Sequence, residues 1–341
     1  MKTQLRYIYR RLFENKAMVL MYHRIAEPTS DIWEIAVSPA HFEAQLQILK
    51  RVGTVVPLRE LAEGVKNKRL KNNHIAITFD DGYADNYLTA KPILEKHGLP
   101  ATFFVSTGNI GKEKEFWWDE LERLLLYSAV LPAKLEIKVG NTLVSGALEE
   151  EVELSGDSEK THQKWNACLE TPPTGRAHLF FQLWQALKPL PYPQQEASLQ
   201  IIREWAGNTA PYSRPDFISM STQQLRELAS HELFDIGAHT VNHPALAYHP
   251  KTHQEQEIAQ NKKDLQKLTG QTIDLLAYPY GNFNEGTVKV AEGLEFKAAV
   301  TTETQVITKD SDPYRLGRVQ VPNWAPEQFK FQLKKAWGLV N

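Results

Sequence analysis

Short apolar runs that stop abruptly at polar residues recur along this chain, with segments of helical periodicity between them. AMVLMY (Ala17 to Tyr22) delivers His23 and Arg24, and IAITF (Ile75 to Phe79) delivers Asp80 and Asp81. Thr54 to Pro57, Ala101 to Val105, Phe234 to Gly237, Asp274 to Tyr278, Ala298 to Thr302 and Leu316 to Val321 are read in the same way. Runs this short, rich in β-branched and aromatic residues, predict strands. Helices are expected between them: from a Ser38-Pro39 start to near Gly53, over 58–65, 84–97, 253–268, 285–293 and 327–337, and from a Ser221–Gln224 capping box to Ser230. Alternation of strand and helix implies a largely parallel sheet. Seven or eight strands suffice to close it, so the expected fold is α/β: a distorted (β/α) barrel of seven or eight mostly parallel strands. The polar clusters then gather at the C-terminal ends of the strands, where such barrels place chemistry.

The rhythm breaks between about Lys112 and Asp216, where Pro172, Pro173, Pro189, Pro191, Pro193, Pro211 and Pro215 cluster. Residues 112–216 are therefore expected to form a largely helical insertion in a single domain spanning 1–341. It opens with FWWDELERLLLY, in which Trp117, Leu121, Leu124 and Leu125 have helical spacing. Packing is the simpler role for the tryptophans; stacking of Trp117 or Trp118 on sugar rings is the alternative. Asp119 is an additional acidic candidate.

Composition narrows the partners. Apolar residues make up 42% and charged residues 23% of the 341, with a formal net charge of −2, which fits a globular protein and gives no basic surface for nucleic acid. A single cysteine, Cys168, excludes an intramolecular disulfide and a multi-cysteine zinc site. No apolar run approaches the roughly 18 residues needed to span a bilayer. The N-terminal MKTQLRYIYRRLFENK lacks the uninterrupted apolar core of a signal peptide, so a cytoplasmic protein is expected. That basic segment could rest peripherally on an anionic membrane, but a helix packed on the domain is the simpler expectation. Oligomeric state is not legible.

Two adjacent carboxylates, Asp80 and Asp81, can serve one site only where the strand breaks, and Gly82 supplies the break. His239 and His243 are spaced to bind one metal from one side. Pro244 disfavours helical geometry at His243, which places the pair in a tight loop or at a helix start. Two histidines and a carboxylate are a common ligand set that leaves a fourth position for water.

TFDDGY (Thr78 to Tyr83), HTVNHP (His239 to Pro244) and YPYG (Tyr278 to Gly281), in this order, resemble the motifs of the polysaccharide deacetylases, also called the NodB-homology or carbohydrate esterase family 4 domain. The resemblance covers roughly residues 17–110 and 217–325. It implies a metal-dependent hydrolase that removes N-acetyl groups from an N-acetylhexosamine-containing glycan or glycan precursor. By the same resemblance Asp81, His239 and His243 bind a divalent metal, with Zn2+ expected, Asp80 is the general base, and the backbone N–H of Tyr280 stabilises the oxyanion.

Two features depart from the family pattern. Ala277 stands where an arginine usually orients the base, and Arg318 is the candidate replacement. The C-terminal Leu-x-His motif that usually supplies the acid is absent. MYHRI resembles the matching motif of the circularly permuted branch, which makes His23 the expected general acid; expulsion of an amine requires a proton donor. An amidohydrolase of a non-sugar amide, and a catalytically silent glycan-binding member, are the alternatives.

Overall fold

A computed structural model describes residues 15–208 and 213–339. The N-terminal segment 1–14 and Pro211 lie outside the described residues. In chain order the strands are β1 (Ala17–Tyr22), β2 (Arg24–Ile25), β3 (Ala36–Val37), β4 (Thr54–Val55), β5 (His74–Phe79) and β6 (Ala101–Val105). They continue as β7 (Lys134–Val139), β8 (Thr142–Ala147), β9 (Phe234–Ala238), β10 (Leu275–Ala277), β11 (Ala298–Val300) and β12 (Val319–Gln320). The main sheet runs β11-β10-β9-β6-β5-β1-β12, with β4 paired to the start of β5. Its pairings are parallel.

The two ends of this sheet are drawn together by one stretch of chain. Leu316 exchanges backbone hydrogen bonds with Ala299 (3.0 Å) and Thr301 (2.9 Å) next to β11, and β12 then pairs Val319 with Leu20 of β1. The curled sheet is thus a distorted barrel of seven strands with β4 as an eighth, as the spacing of apolar runs predicts.

Strand alternation separates two cores. Met18, Leu20, Tyr22, Ile75, Ile77, Phe79, Phe103 and Ile236 pack outward against the surrounding helices. Ala17, Val19, Ala76, Phe104, Leu275, Ala277, Ala298 and Val300 form the inner cluster, capped below by Leu58, Leu61 and Val65 of the helix Leu58–Lys66. Several inner residues are small because Phe104 and the buried Arg318 share the space; the guanidinium lies 5.7 Å from the Phe104 ring centroid. Gly237 answers the same crowding: a Cβ there would lie 2.4 Å from Phe104.

Residues 112–216 build a third core around Trp117, Leu121, Leu124, Leu125, Phe180 and Leu183. The segment holds helices Trp117–Leu126, Gly156–Lys164, Gly175–Leu187 and Tyr192–Trp205, and also the antiparallel hairpin β7–β8. That hairpin adds strand to a stretch expected to be largely helical. Its signal is the alternation of Leu135, Ile137 and Val139, all buried, before a turn at Gly140 (φ 59°). The helical pattern over 84–97 likewise resolves into a π-helical stretch, Asn86–Ala90, and an α-helix, Lys91–His97. Among the described residues no helix is long and apolar enough to cross a membrane.

A buried charged cluster ties this segment to the barrel. Arg24 Nε donates to Asp85 (3.0 Å), Tyr83 donates to Asp119 (2.7 Å), and Arg214 bonds both Glu115 (3.2 Å) and the Asp119 carbonyl (2.7 Å). Burial pushes the Asp119 carboxyl well above its usual value, although Arg214 and Arg24 oppose the shift. A carboxyl raised on folding contributes stability that is full below its unfolded value and is lost as pH rises through the folded one. Asp119→Asn, which keeps an acceptor for Tyr83, should therefore gain stability relative to the parent as pH rises above about 4, the ordinary carboxylate value. Urea denaturation across that range checks this; an offset independent of pH would contradict it.

Candidate active site

The strand alternation that fills the barrel also selects the residues at its mouth. Two residues beyond the inward Val19, Thr78, Gly237 and Val300 come Met21, Asp80, His239 and Thr302, and two beyond Met21 and Arg318 come His23 and Gln320. All six line one cavity of about 300 Å³. Five strand ends, those of β1, β5, β9, β11 and β12, therefore converge on a single polar pocket.

Asp80 is 3% exposed and is gripped by Arg318 through two parallel bonds, Nη1 to Oδ1 and Nη2 to Oδ2, each 2.7 Å. Burial alone would raise this carboxyl, but the Arg318 charge, with His239, holds it below its usual value. Arg318 also donates to the Thr301 carbonyl (2.9 Å) and Thr78 Oγ1 (3.2 Å), so its planar fork is fixed before it meets Asp80. The candidate replacement for an arginine at Ala277 thus occupies the orienting position.

Asp81 turns away from the strand in the left-handed conformation (φ 74°), and Gly82 (φ 88°) completes the turn, with Val105 close enough to meet any added Cβ at 3.0 Å. The turn directs Asp81 Oδ1 toward both histidines: it lies 3.4 Å from His239 Nε2 and 3.2 Å from His243 Nε2. Oδ1 is buried with no hydrogen-bond partner, and the three ligand atoms lie within 4.8 Å of one another. His239 Nδ1 sits 2.8 Å from the Ala277 carbonyl, which can only accept, so this nitrogen carries the proton and Nε2 presents a lone pair. A buried carboxylate oxygen without a hydrogen-bond partner beside two imidazole nitrogens, one of them fixed as a lone-pair donor, fits a divalent cation. Burial and the adjacent carboxylates act on the histidines in opposite directions: His239 ends above its usual value, raised by Asp80 and Asp81, while His243 ends below, lowered chiefly by burial.

The loop carrying these histidines is anchored from the helix Lys251–Thr269. Asn261, fully buried, accepts from the His239 backbone N–H (3.0 Å) and donates to the Val105 carbonyl (3.0 Å) and Thr107 (3.1 Å). Glu257 accepts from the N–H groups of Val241 (3.0 Å) and Asn242 (2.8 Å). Thr240, His243 and Tyr280 also have positive φ (64°, 55° and 57°), so with Asp81 four non-glycine residues around the cavity are held in an uncommon conformation.

The residues given metal-binding and catalytic roles from the sequence lie together: Asp80, Asp81, His239 and His243 meet His23 and Tyr280 in the one cavity. Trp118 lines it as well and packs 4.8 Å from the His243 ring, whereas Asp119 is turned into the buried charged cluster. Sequence reasoning missed Trp33, Trp184 and Lys188, which reach the cavity from the β2–β3 connection and the 112–216 segment. Lys188 Nζ lies 4.4 Å from the Tyr280 ring centroid and 4.6 Å from that of Trp184, and burial lowers its pKa. No local pattern marks these three, because folding of the segment brings them in.

Comparison with known proteins bears on the family and the fold. A family model described as polysaccharide deacetylase matches residues 67–126 and 185–299. YxkH of Bacillus subtilis strain 168, provisionally named a polysaccharide deacetylase, is 23% identical over 308 residues, covering 90% of this chain and 71% of that protein. The poly-β-1,6-N-acetyl-D-glucosamine N-deacetylase of Staphylococcus aureus is 32% identical over 113 residues, covering 29% of this chain and 39% of that protein. Among solved structures, IcaB from Ammonifex degensii superposes with a TM-score of 0.58 at 19% identity, covering 95% of this chain and 97% of that one. The Streptococcus pyogenes deacetylase PplD, in complex with acetate, gives 0.57 at 20%, covering 93% and 98%. At these identities the structural matches speak to the fold.

Removing one partner of a buried ion pair leaves the other uncompensated, at a cost of about 3–5 kcal/mol. Arg318→Met should be destabilised by about that amount. Combining it with Asp80→Asn should cost less than the sum of the two single changes, since the orphaned charge is then gone. Chemical denaturation of the double-mutant cycle measures the coupling; strict additivity would refute the pair.

Proposed function

The chain belongs to the polysaccharide deacetylase family, and on that premise we propose that it removes N-acetyl groups from an N-acetylhexosamine-containing glycan, using a divalent metal held by Asp81, His239 and His243. The observation that carries this reading is the buried, unpartnered Asp81 Oδ1 beside two imidazole Nε2 atoms. A divalent ion, zinc by the donor set, supplies Lewis acidity and acidifies water.

The chain's own groups account for the remaining proton movements. Asp80, kept ionised by its bonds to Arg318, would take a proton from the attacking water. As the acetamide carbonyl becomes tetrahedral its oxygen gains negative charge, and the backbone N–H of Tyr280 is the donor assigned to it. Collapse then expels an amine, a poor leaving group until protonated, and His23 in the same cavity is the donor for that nitrogen. Trp118, Trp184 and Tyr280 give the cavity aromatic walls suited to the faces of a sugar ring. This lining favours a glycan over a small non-sugar amide, and the complete set of ligands, base and acid favours an enzyme over a silent glycan-binding member.

Asp81→Ala, His239→Ala and His243→Ala should each lose bound metal, measured by elemental analysis of purified protein; stoichiometric metal in all three would remove the proposed ligand set. Asp80→Asn should keep its metal and release acetate at least about 100-fold more slowly, the scale of a lost general base. His23→Ala should keep metal, lose most activity on an N-acetyl amide, and lose less on an activated acetate ester, whose leaving group needs no proton. Equal losses on amide and ester would assign His23 to positioning instead.

A further inference from the structure

The helix Lys251–Thr269 meets the chain that follows β9 with a stripe of side chains, His253, Glu257 and Asn261, each a helical turn from the next. Two of the three tie loop to helix. Asn261 accepts from the His239 N–H, and Glu257 accepts from the N–H groups of Val241 and Asn242. At the third position His253 faces His249, which precedes the Pro250 cap of the helix, with ring centroids 4.7 Å apart and planes at 50°. The Nε2 atoms of both histidines are buried, and neither has a hydrogen-bond partner among the described residues. We propose that His249 and His253 form a second metal site, for a divalent transition ion that prefers imidazole, and that this ion is the third tie between loop and helix. The inference stands apart from the deacetylation chemistry.

The surroundings fix both rings without satisfying them. The His249 N–H donates to the Leu246 carbonyl (3.0 Å) and its carbonyl accepts from Gln254 Nε2 (2.8 Å), while the His253 N–H donates to the Pro250 carbonyl (3.0 Å). Gln254 is buried and is held in turn by Thr287 (2.6 Å) of the helix Glu285–Gly293. A buried nitrogen left without a partner is costly, so the pair calls for a ligand that accepts lone pairs. Burial, with His253 adding to it, pushes the His249 imidazole down to about 4, which keeps the ring neutral near pH 7. With the proton on Nδ1, Nε2 offers its lone pair to an ion. Neither histidine is among the described residues lining the active-site cavity; His253 instead lines a separate one of about 500 Å³ with Asn242, Glu257 and Lys263, which gives an ion its approach. Two imidazoles leave the other positions to water, so affinity should follow the general order for such donors, with Cu2+ ahead of Ni2+ and Zn2+. Two protein ligands against three make this the weaker site for Zn2+, and a first equivalent of Zn2+ goes to Asp81, His239 and His243.

The test is a count of bound metal. Protein loaded with about one equivalent of Zn2+ and then equilibrated with Cu2+ should hold about two ions per chain in total by elemental analysis, with nitrogen splitting in the Cu2+ paramagnetic resonance spectrum. His249→Gln, and independently His253→Gln on the half-buried helix surface, should each lower the total by about one. Circular dichroism identifies a variant that fails to fold, and the other then decides. An equal total in the parent and the folded variants would overturn the inference, placing any extra ion elsewhere. Failure of the active-site assignment reads differently: the parent would hold about one ion and the variants none. Hydrogen exchange tests the tie itself, since amides over 245–249 should slow at least about tenfold with Cu2+ at about 100 times its Kd. Exchange unchanged by the ion would overturn that role.

Discussion

Arg318 and Asp80 are 238 residues apart in sequence, and their two parallel hydrogen bonds, each 2.7 Å, join the strand that closes the barrel to the end of β5. Both groups are almost entirely buried, so desolvation costs each several kcal/mol, and only close, fully hydrogen-bonded geometry offsets that cost. The barrel provides it. Thr78 and the Thr301 carbonyl hold the guanidinium, and small inner residues such as Ala76 and Ala277 leave it room. The pair thus depends on closure, and the ionised state of Asp80 depends on the pair.

The metal-type triad is organised by a different device. A strand cannot present adjacent side chains to one side, so the chain leaves β5 through Asp81 and Gly82 in left-handed conformation. A second left-handed pair, Thr240 and His243, bends the loop after β9, and Asn261 and Glu257 hold it from a helix. Four non-glycine residues with positive φ around one cavity represent local strain that the buried hydrogen bonds of Asn261 and the packing of Trp118 and Tyr280 on His243 can sustain. Rigidity of this kind suits a site whose three ligand atoms must be in place before an ion arrives.

Much of this was legible in the sequence because burial on both faces writes itself as an apolar run. AMVLMY, IAITF and ATFFV were identifiable as strands, and the polar residues after them as mouth residues, since a strand's period of two is inflexible. The Ser221–Gln224 capping box and the Ser38-Pro39 start were readable because caps are local chemistry. What escaped depends on distant packing. The β7–β8 hairpin had a local signal in its alternation, masked by the proline-rich text around it, whereas Trp33, Trp184 and Lys188 had none. Arg318 could be named as a candidate, but its bidentate grip required knowing that residues 316–320 bridge β11 and β1.

The central claim is that Asp81, His239 and His243 form one metal centre with Asp80 beside it as an unligated base. A crystal structure of the protein grown with Zn2+, with anomalous data collected at the zinc edge, tests it most directly. The account predicts a single strong anomalous peak about 2.0–2.2 Å from Asp81 Oδ1 and the Nε2 atoms of His239 and His243, with Asp80 still paired to Arg318. A peak elsewhere, or one that takes Asp80 as a ligand and breaks its bonds to Arg318, would contradict it.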